Sequence, residues 1–563
     1  MKQIIECVPN FSEGRDMSII KQITDVIEQV DGIKLLDVDP GAATNRTVVT
    51  FVGEAEAVCE AAFAAVKKAS EIIDMSKHKG AHPRFGATDV CPLIPVSNIT
   101  MEETVKYAHK LAERLGNELN IPIFCYESAA KTPIRRNLAN CRSGEYEALS
   151  KRITTAEWKP DFGPSVWNEH TKRTGATAVG ARNFLVAYNI NLNTTSVHKA
   201  NSIAFDVRER GRVKREGHPV TGKIVLDKNG NKVNEPGLLK SVKAIGWFIE
   251  EYGVAQLSMN LTDISVTPVH VAFDTVCERA CANGLRVTGS ELVGVMPLQA
   301  ILDAGKYFLK KQGRSTGIAD SEIIKIAVKS LGLDELKPFD PKKNIIEYMM
   351  EEDSGERLID MDLVKFCHTT ASDAPAPGGG SVSAYMGSMG AALGTMVANL
   401  TAHKHRHTDK WIEYSDWAEK GKIYHDTLLK MVDEDTNAYK KIMEAFGLPK
   451  SNDEDKAIRT QAIQAATKYA IEIPLKTMEI CCNSMEVMLE MAKTGLEASI
   501  SDAAVGAIAA RAGVQGAYLN VRINTGGYND KEFVNKVVKE GAAIEKKALE
   551  IEKQVLELVN SKL

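Results

Sequence analysis

A chain of 563 residues is longer than one hydrophobic core can fill, so three or four structural units are expected. Hydrophobic residues at 44% and charged residues at 26% place it among ordinary soluble globular proteins, and a net charge of −4 with a pI near 6.4 argues against a nucleic-acid or polybasic membrane surface. No apolar run reaches the ~18–20 residues that a membrane crossing requires, and MKQIIECVPNFSEGR lacks the long apolar core of a secretory signal.

From the start of the chain the hydrophobic period switches repeatedly between two and 3.6. Ile4 to Pro9 reads as a strand, Met17 to Val30 as a helix, and Ile33 to Asp39 and Thr47 to Gly53 as two strands around DPGAATN. Glu54 to Asp74 is an alanine-rich helix and Ala87 to Val96 holds a further strand, which completes the β-α-β-β-α-β order of a ferredoxin-like unit. A helix over Thr100 to Leu119 and a short strand, Ile121 to Cys125, extend it; Pro122 points to an edge position. The order recurs with strands Phe184 to Leu192, Val242 to Ile249, Val254 to Asn260 and Leu285 to Leu292, and helices His198 to Arg212 and Val269 to Ala282. Two such subdomains, residues 1–181 and 182–333, leave room for a ligand groove between their sheets.

From Asp334 the character changes. LDELKPFDPKKN, with two prolines and alternating charge, reads as part of a linker over 334–357. Residues 358–563 have helical periodicity almost throughout, with helices near 380–402, 411–446, 454–495, 498–526 and 530–560. The fold class is therefore multidomain: two ferredoxin-like α/β sandwich subdomains followed by an all-helical domain. The ten cysteines are scattered without a zinc-type pair and read as reduced thiols, which suits a cytoplasmic chain without structural disulfides.

The densest chemistry of the first half is Lys77-His78-Lys79-Gly80-Ala81-His82-Pro83-Arg84-Phe85-Gly86, between a helix and a strand. One of its histidines suits a general base near neutral pH; the competing reading is a solvated basic turn. Asn10 and Asp39 end strands close to it in this fold, and Asp39 could hold an imidazole in one tautomer or simply form an Asp-Pro-Gly turn. Thr174 to Arg182, with Gly175, Ala176, Thr177 and Gly180, offers small residues that let backbone approach a flat ligand, or an ordinary connection. Its spacing is not a dinucleotide fingerprint.

VPNFSEGR, DVDPG, HPRFGATDVCPLIPV, TGATAVGARNFLVAYNINL and the later Ala-Ile-Gly-Trp segment resemble glutamate formiminotransferase. The resemblance implies His82 as catalytic base and folate contacts along Thr174 to Arg182 and in the turn from Gly237 to Lys240. Gly211 to Asn234 departs from the animal enzymes and resembles an inserted hairpin. In the implied reaction N5 of tetrahydrofolate attacks the formimino carbon and the glutamate nitrogen leaves, so one imidazole can serve both proton transfers. Arg84 or Lys79 is the inferred clamp for the glutamate carboxylates.

In the helical half, DAPAPGGGSVSA brings Gly379 and Ser381 to a helix start, where N–H groups can meet an anion or a ring edge; a capped helix with a loose entry loop is the alternative. Asp433, Glu434 and Asp435 cannot share one face, and a buried stripe through Leu428, Val432 and Tyr439 would lie near Asp435. A carboxyl there could be a proton donor or an ordinary surface acid. His403, His405 and His407 alternate with Lys404 and Arg406, which disfavours a metal and suits a charged substrate tail.

DAPAPGGGSVSA, the Asp435 helix and SDAAVGAIAARAGVQGAYLNVRIN resemble formiminotetrahydrofolate cyclodeaminase. The resemblance implies Asp435, rather than Asp433, as the catalytic acid, with Asn520 and Asn524 orienting the folate ring. Together the two resemblances cover Ile4 to about Asn524 in the order of the formiminotransferase-cyclodeaminase family of histidine degradation. They imply formiminoglutamate and polyglutamylated tetrahydrofolate as substrates, a homo-oligomer of octameric form, and no metal, nicotinamide, pyridoxal phosphate, nucleic acid or membrane. The rivals are a folate-independent formiminoglutamate hydrolase and a non-catalytic folate-binding scaffold.

Overall fold

The computed structural model describes residues 3–42, 44–80, 84–217, 221–351 and 357–563. Two compact units arise: Met1–Ala304 with Leu331–Glu352, and Gly305–Ser330 with Asp353–Leu563.

The first unit holds two sheets. In the first, Ile4–Cys7 and its continuation Asn10–Phe11 run antiparallel between Arg46–Glu54 and Thr88–Ser97, with Ile33–Gly41 outside Arg46–Glu54. This is the ferredoxin order. Thr177–Ala181 then pairs parallel with Thr88–Ser97, and Ile123–Glu127 closes that edge, as Pro122 suggests. Alternation along the central strand sends Ile5 and Cys7 into a core with Ile23, Ile27, Val58 and Leu111 of the helices Met17–Glu28, Ala55–Ile72 and Met101–Glu118. Glu6 and Asn10 therefore face the opposite side of the sheet. Two apolar periods out of phase would be needed to bury both sides equally; here one face is left to polar groups.

The second sheet has the order Val242–Ile249, Val254–Leu261, Val186–Leu192, Val287–Val293, all antiparallel, and carries the helices Val197–Val207 and Val269–Ala282. It repeats the first topology. Between Val207 and Val242, Arg212–Val213 pairs with Asn234–Glu235 and Arg215–Glu216 with Lys223–Ile224, two short antiparallel pairings.

The compact units divide the chain elsewhere than at the expected 333 and 358. Gly305–Ser330 packs within the helical unit, where Thr316 N–H donates to Ser415 Oγ (3.0 Å) and Lys422 meets Asp320 (2.7 Å). The stretch read as a linker instead carries the short helices Pro341–Asn344 and Ile346–Glu351 within the first unit, with Ile345 and Ile346 fully buried. Two apolar residues among charges were too weak a pattern to mark this.

The helical unit is built on Gly379–Lys404, Lys410–Gly447, Asp453–Thr494, Ile500–Asn524 and Lys531–Asn560, close to the five expected spans. Gly379–Lys404 and Ile500–Asn524 are rich in Gly and Ala and largely buried, so they sit centrally. A side chain at Gly390 or Gly506 would collide with the backbone of the other helix, so these two helices cross at backbone contact.

Candidate functional site

On the polar face of the first sheet lies a cavity of about 920 Å³, bounded by strand ends, by the chain that enters the second subdomain, and by short helices in 133–152. Asn10, Arg46, Glu127, Arg142, Arg182 and Lys243 line it. Its walls therefore carry four cations. Arg142 pairs with the buried Asp89. Arg135, the anchor of the same loop, pairs with Asp161 at 2.7 Å, both nearly fully buried. Glu6 lies beneath the cavity, 5% exposed; burial pushes its carboxyl up to about 7 although Arg182 opposes the shift.

Of the expected residues here, Asn10 and Arg182 face the cavity. Asn10 Nδ2 donates to the Val8 carbonyl (3.1 Å), and Arg182 Nη1 to the Asn183 carbonyl (3.1 Å). The small residues before Arg182 are packed against protein. Gly175, at φ 67°, lies on the Phe85–Gly86 backbone, Ala176 is fully buried, Thr177 Oγ1 donates to the Thr88 carbonyl (2.7 Å), and Gly180 abuts the Tyr126 ring. They permit close strand packing instead of lying open to a ligand. Gly237 is likewise wedged against the Arg208 carbonyl, while Lys240 and Asp39 are exposed and lie outside the cavity lining.

His82 lies outside the described residues. Its neighbours are ordered by Asn45, which has φ 49° and ties three segments: its Oδ1 accepts from Gly14 N–H (3.1 Å), its Nδ2 donates to the Lys79 carbonyl (3.0 Å), and its carbonyl accepts from His78 Nε2 (2.8 Å). A carbonyl can only accept, so Nε2 of His78 carries the proton and Nδ1 remains an acceptor without a partner among the described residues. Burial holds His78 below its usual pKa. Arg84 pairs with Glu147 and stands near the Tyr146 ring; Lys79 is exposed.

The second constellation lies in the helical unit. Gly378 gives Gly379–Lys404 no side-chain cap, and Asp435 of Lys410–Gly447 supplies the acceptor instead. Its Oδ2 receives the Ser381 N–H at 3.0 Å and lies 3.3 Å from Ser381 Oγ, which also donates to the Val432 carbonyl (2.8 Å). Any side chain at Gly380 would overlap the Asp435 carboxyl, and one at Gly379 would reach Asn520 Nδ2 at 3.5 Å. Gly379, Ser381, Asp435 and Asn520 therefore share one site. Burial raises the Asp435 pKa while both Ser381 hydrogen bonds oppose it. Asn520 Nδ2 donates to the Gly516 carbonyl (2.9 Å), and Asn524 Nδ2 to the Ala470 carbonyl (2.7 Å).

The three consecutive acids divide as their 100° steps require. Asp433 Oδ1 accepts the Leu358 N–H (2.6 Å), and Glu434 accepts from Tyr469. The expected stripe needs one correction: Leu428 and Val432 are buried, but Tyr439 is 42% exposed, and Ala438, at 3%, holds the buried side of the helix there. His405 stacks on Tyr414, Arg406 donates to the His403 carbonyl (3.0 Å), and no group of three or more His, Cys, Asp or Glu among the described residues converges as a metal site.

The sequence reading missed Asn45, Arg46, Glu127, Arg142 and Lys243. Three arginines in TPIRRNLANCRSG were the available signal for the cavity loop.

Three family models match the chain: "Formiminotransferase domain, N-terminal subdomain" over residues 4–182, "Formiminotransferase domain" over 187–351, and "Formiminotransferase-cyclodeaminase" over 362–543. Formimidoyltransferase-cyclodeaminase of Gallus gallus is 44% identical over 542 residues, 95% of this chain and 94% of that one. That of Dictyostelium discoideum is 42% identical over 565 residues, the full length of both. Glutamate formimidoyltransferase of Thermoplasma acidophilum is 40% identical over 316 residues, 56% of this chain and 95% of its own.

Proposed function

The chain belongs to the formiminotransferase-cyclodeaminase family, and on that premise we propose how its residues divide the chemistry. It is a bifunctional enzyme: it transfers the formimino group of N-formimino-L-glutamate to tetrahydrofolate, then cyclises 5-formiminotetrahydrofolate to 5,10-methenyltetrahydrofolate with release of ammonia. Histidine degradation is the pathway we assign, with the polyglutamylated folate as co-substrate.

Transfer is assigned to the cavity of the first unit. Its four cations suit a glutamate dicarboxylate and the acidic tail of a folate, and Arg182 is the member of the expected folate stretch that lines it. His82 is the assigned base: it takes the proton from N5 as N5 attacks, and returns it to the departing glutamate nitrogen. Asn10, Asp39 and Arg84 are assigned to its surroundings, and Gly237 and Lys240 to the second folate stretch.

Cyclisation is assigned to Asp435. The observation that carries this is a partly buried carboxyl, raised in pKa, facing a glycine-only helix start. N10 attacks the amidine carbon on N5 and passes its proton to the amine nitrogen, protonated Asp435 supplies that nitrogen's second proton, and the C–N bond breaks to release ammonia. Because the attack is intramolecular, the site mainly fixes conformation, and Asn520 and Ser381 serve that end. No helix among the described residues is long and apolar enough to cross a membrane. We assign the protein to the cytoplasm as a homo-oligomer, octameric as the family resemblance implies, with Lys404 and Arg406 available to a polyglutamate tail.

The test follows methenyltetrahydrofolate absorbance and ammonia after mixing protein, tetrahydrofolate and formiminoglutamate. His82→Ala abolishes the first step. Asp435→Asn permits transfer, accumulates 5-formiminotetrahydrofolate, and slows ammonia release by about 10²–10⁴-fold. Normal ammonia release by the Asp435 variant overturns the assignment; turnover without tetrahydrofolate favours a hydrolase.

A further inference from the structure

Glu127 ends the edge strand Ile123–Glu127 at φ 51°, a conformation that residues with a Cβ seldom adopt and that recurs at ligand sites. The turn is fixed by Ser128 N–H on the Ala181 carbonyl (3.0 Å) and Ala130 N–H on the Glu127 carbonyl (3.2 Å). Its side chain lines the cavity near Arg182 and Lys243. Its carboxylate accepts no hydrogen bond from the described residues. Glu127 and Lys243 are exposed to the cavity, and partial desolvation still raises the Glu127 pKa against the pull of Arg182 and Lys243. A further cation entering the cavity would complete the set.

The other lining carboxylates are already provided for. Asp263 accepts from Asn183 Nδ2 (2.6 Å) and from Ser265. Glu145 opens the helix Glu145–Arg152, whose first-turn N–H groups favour a negative charge.

The donor substrate has two carboxylates and a formamidine end. A formamidine is strongly basic, is protonated at neutral pH, and presents N–H groups on two nitrogens that match a carboxylate. We propose that Glu127 binds the protonated formimino group of the donor while Arg182 and Lys243 take its carboxylates, which makes Glu127 the residue that selects formiminoglutamate over N-formylglutamate, whose formamide end is uncharged. This rests on the cavity being the transfer site.

The test compares KM for formiminoglutamate with the inhibition constant of N-formylglutamate, using the full-length protein. Glu127→Gln raises the KM at least tenfold and leaves N-formylglutamate inhibition within twofold; Glu127→Asp, which keeps the charge, falls between Gln and wild type. An unchanged KM, or equal weakening of both ligands, overturns the proposal. Leu138→Trp fills the cavity and separately tests its location. It abolishes transfer while added 5-formiminotetrahydrofolate is still cyclised. If Leu138→Trp leaves transfer intact, the site lies elsewhere and Glu127 falls with it. If it blocks transfer while Glu127→Gln keeps its KM, only the Glu127 assignment fails.

Discussion

Ser381 reaches Asp435 twice, through its N–H at 3.0 Å and its hydroxyl at 3.3 Å from the same Oδ2, so one residue of a helix start holds the carboxyl of the next helix. Both contacts pull the Asp435 pKa down against the burial that raises it. Ser381→Ala removes the hydroxyl and keeps the N–H. The Asp435 pKa then rises further, and the fall in cyclisation rate that accompanies loss of the donor proton moves to higher pH. A pH–rate profile on 5-formiminotetrahydrofolate checks this; a shift to lower pH contradicts it.

Gly380 admits no side chain beside Asp435. Gly380→Ala forces the carboxyl out of place and costs about 10²-fold or more in cyclisation, as an ångström of misplacement does in other sites. Transfer by the first unit continues, so 5-formiminotetrahydrofolate accumulates and is measured by chromatography.

Arg135 and Asp161 are a buried ion pair, at 5% and 6% side-chain exposure. Arg135→Met leaves Asp161 buried without its cation, for a loss of about 3–5 kcal/mol. Arg135 also donates to the Lys159 carbonyl (2.7 Å), so the loop carrying Leu138 and Arg142 loosens with it. Thermal unfolding gives the stability change, and KM for both substrates rises.

Glu6 is neutral in the folded protein at acidic pH, with its pKa pushed up to about 7 from the 4.5 of an ordinary glutamate carboxyl. Between these values the folded state holds more protons than the unfolded state. Stability from this group is fully present below about pH 4.5 and is lost as pH rises through about 7. At about 1.4 kcal/mol per pKa unit the cost at pH 8 is on the order of 3 kcal/mol. Glu6→Gln, which cannot ionise, is more stable than the wild type at pH 8 and close to it at pH 4.5. Denaturant titrations at the two pH values measure the difference.

The regular elements were legible because their apolar residues recur at one period over many turns. Met101–Glu118 and Lys531–Asn560 announce themselves this way, and the paired ferredoxin orders follow from alternating runs such as Arg46–Glu54. The cavity loop was not legible. Its short helices, such as Leu138–Cys141, are ordered by pairing Arg142 with Asp89 and Arg135 with Asp161, partners that only the folded chain brings together. Asp435 was legible as a candidate acid, but what distinguishes it from Asp433 is the hydrogen-bond partner each finds, Ser381 in one case and Leu358 in the other. The glycines before Arg182 show the opposite failure: the same small residues that suggest an open platform also suit strands in contact, and here they are in contact.

Gly305–Ser330 precedes the proline-bearing stretch in the chain and yet folds with the helices that follow it. The two compact units are thus interleaved along the polypeptide, and the helix Leu298–Lys311 runs from one into the other. Recombination at 334–357, the junction that composition suggests, would part residues 305–330 from the helices they pack on. A chimera that exchanges helical halves between relatives therefore has to keep residues 305–330 with the helices they pack on.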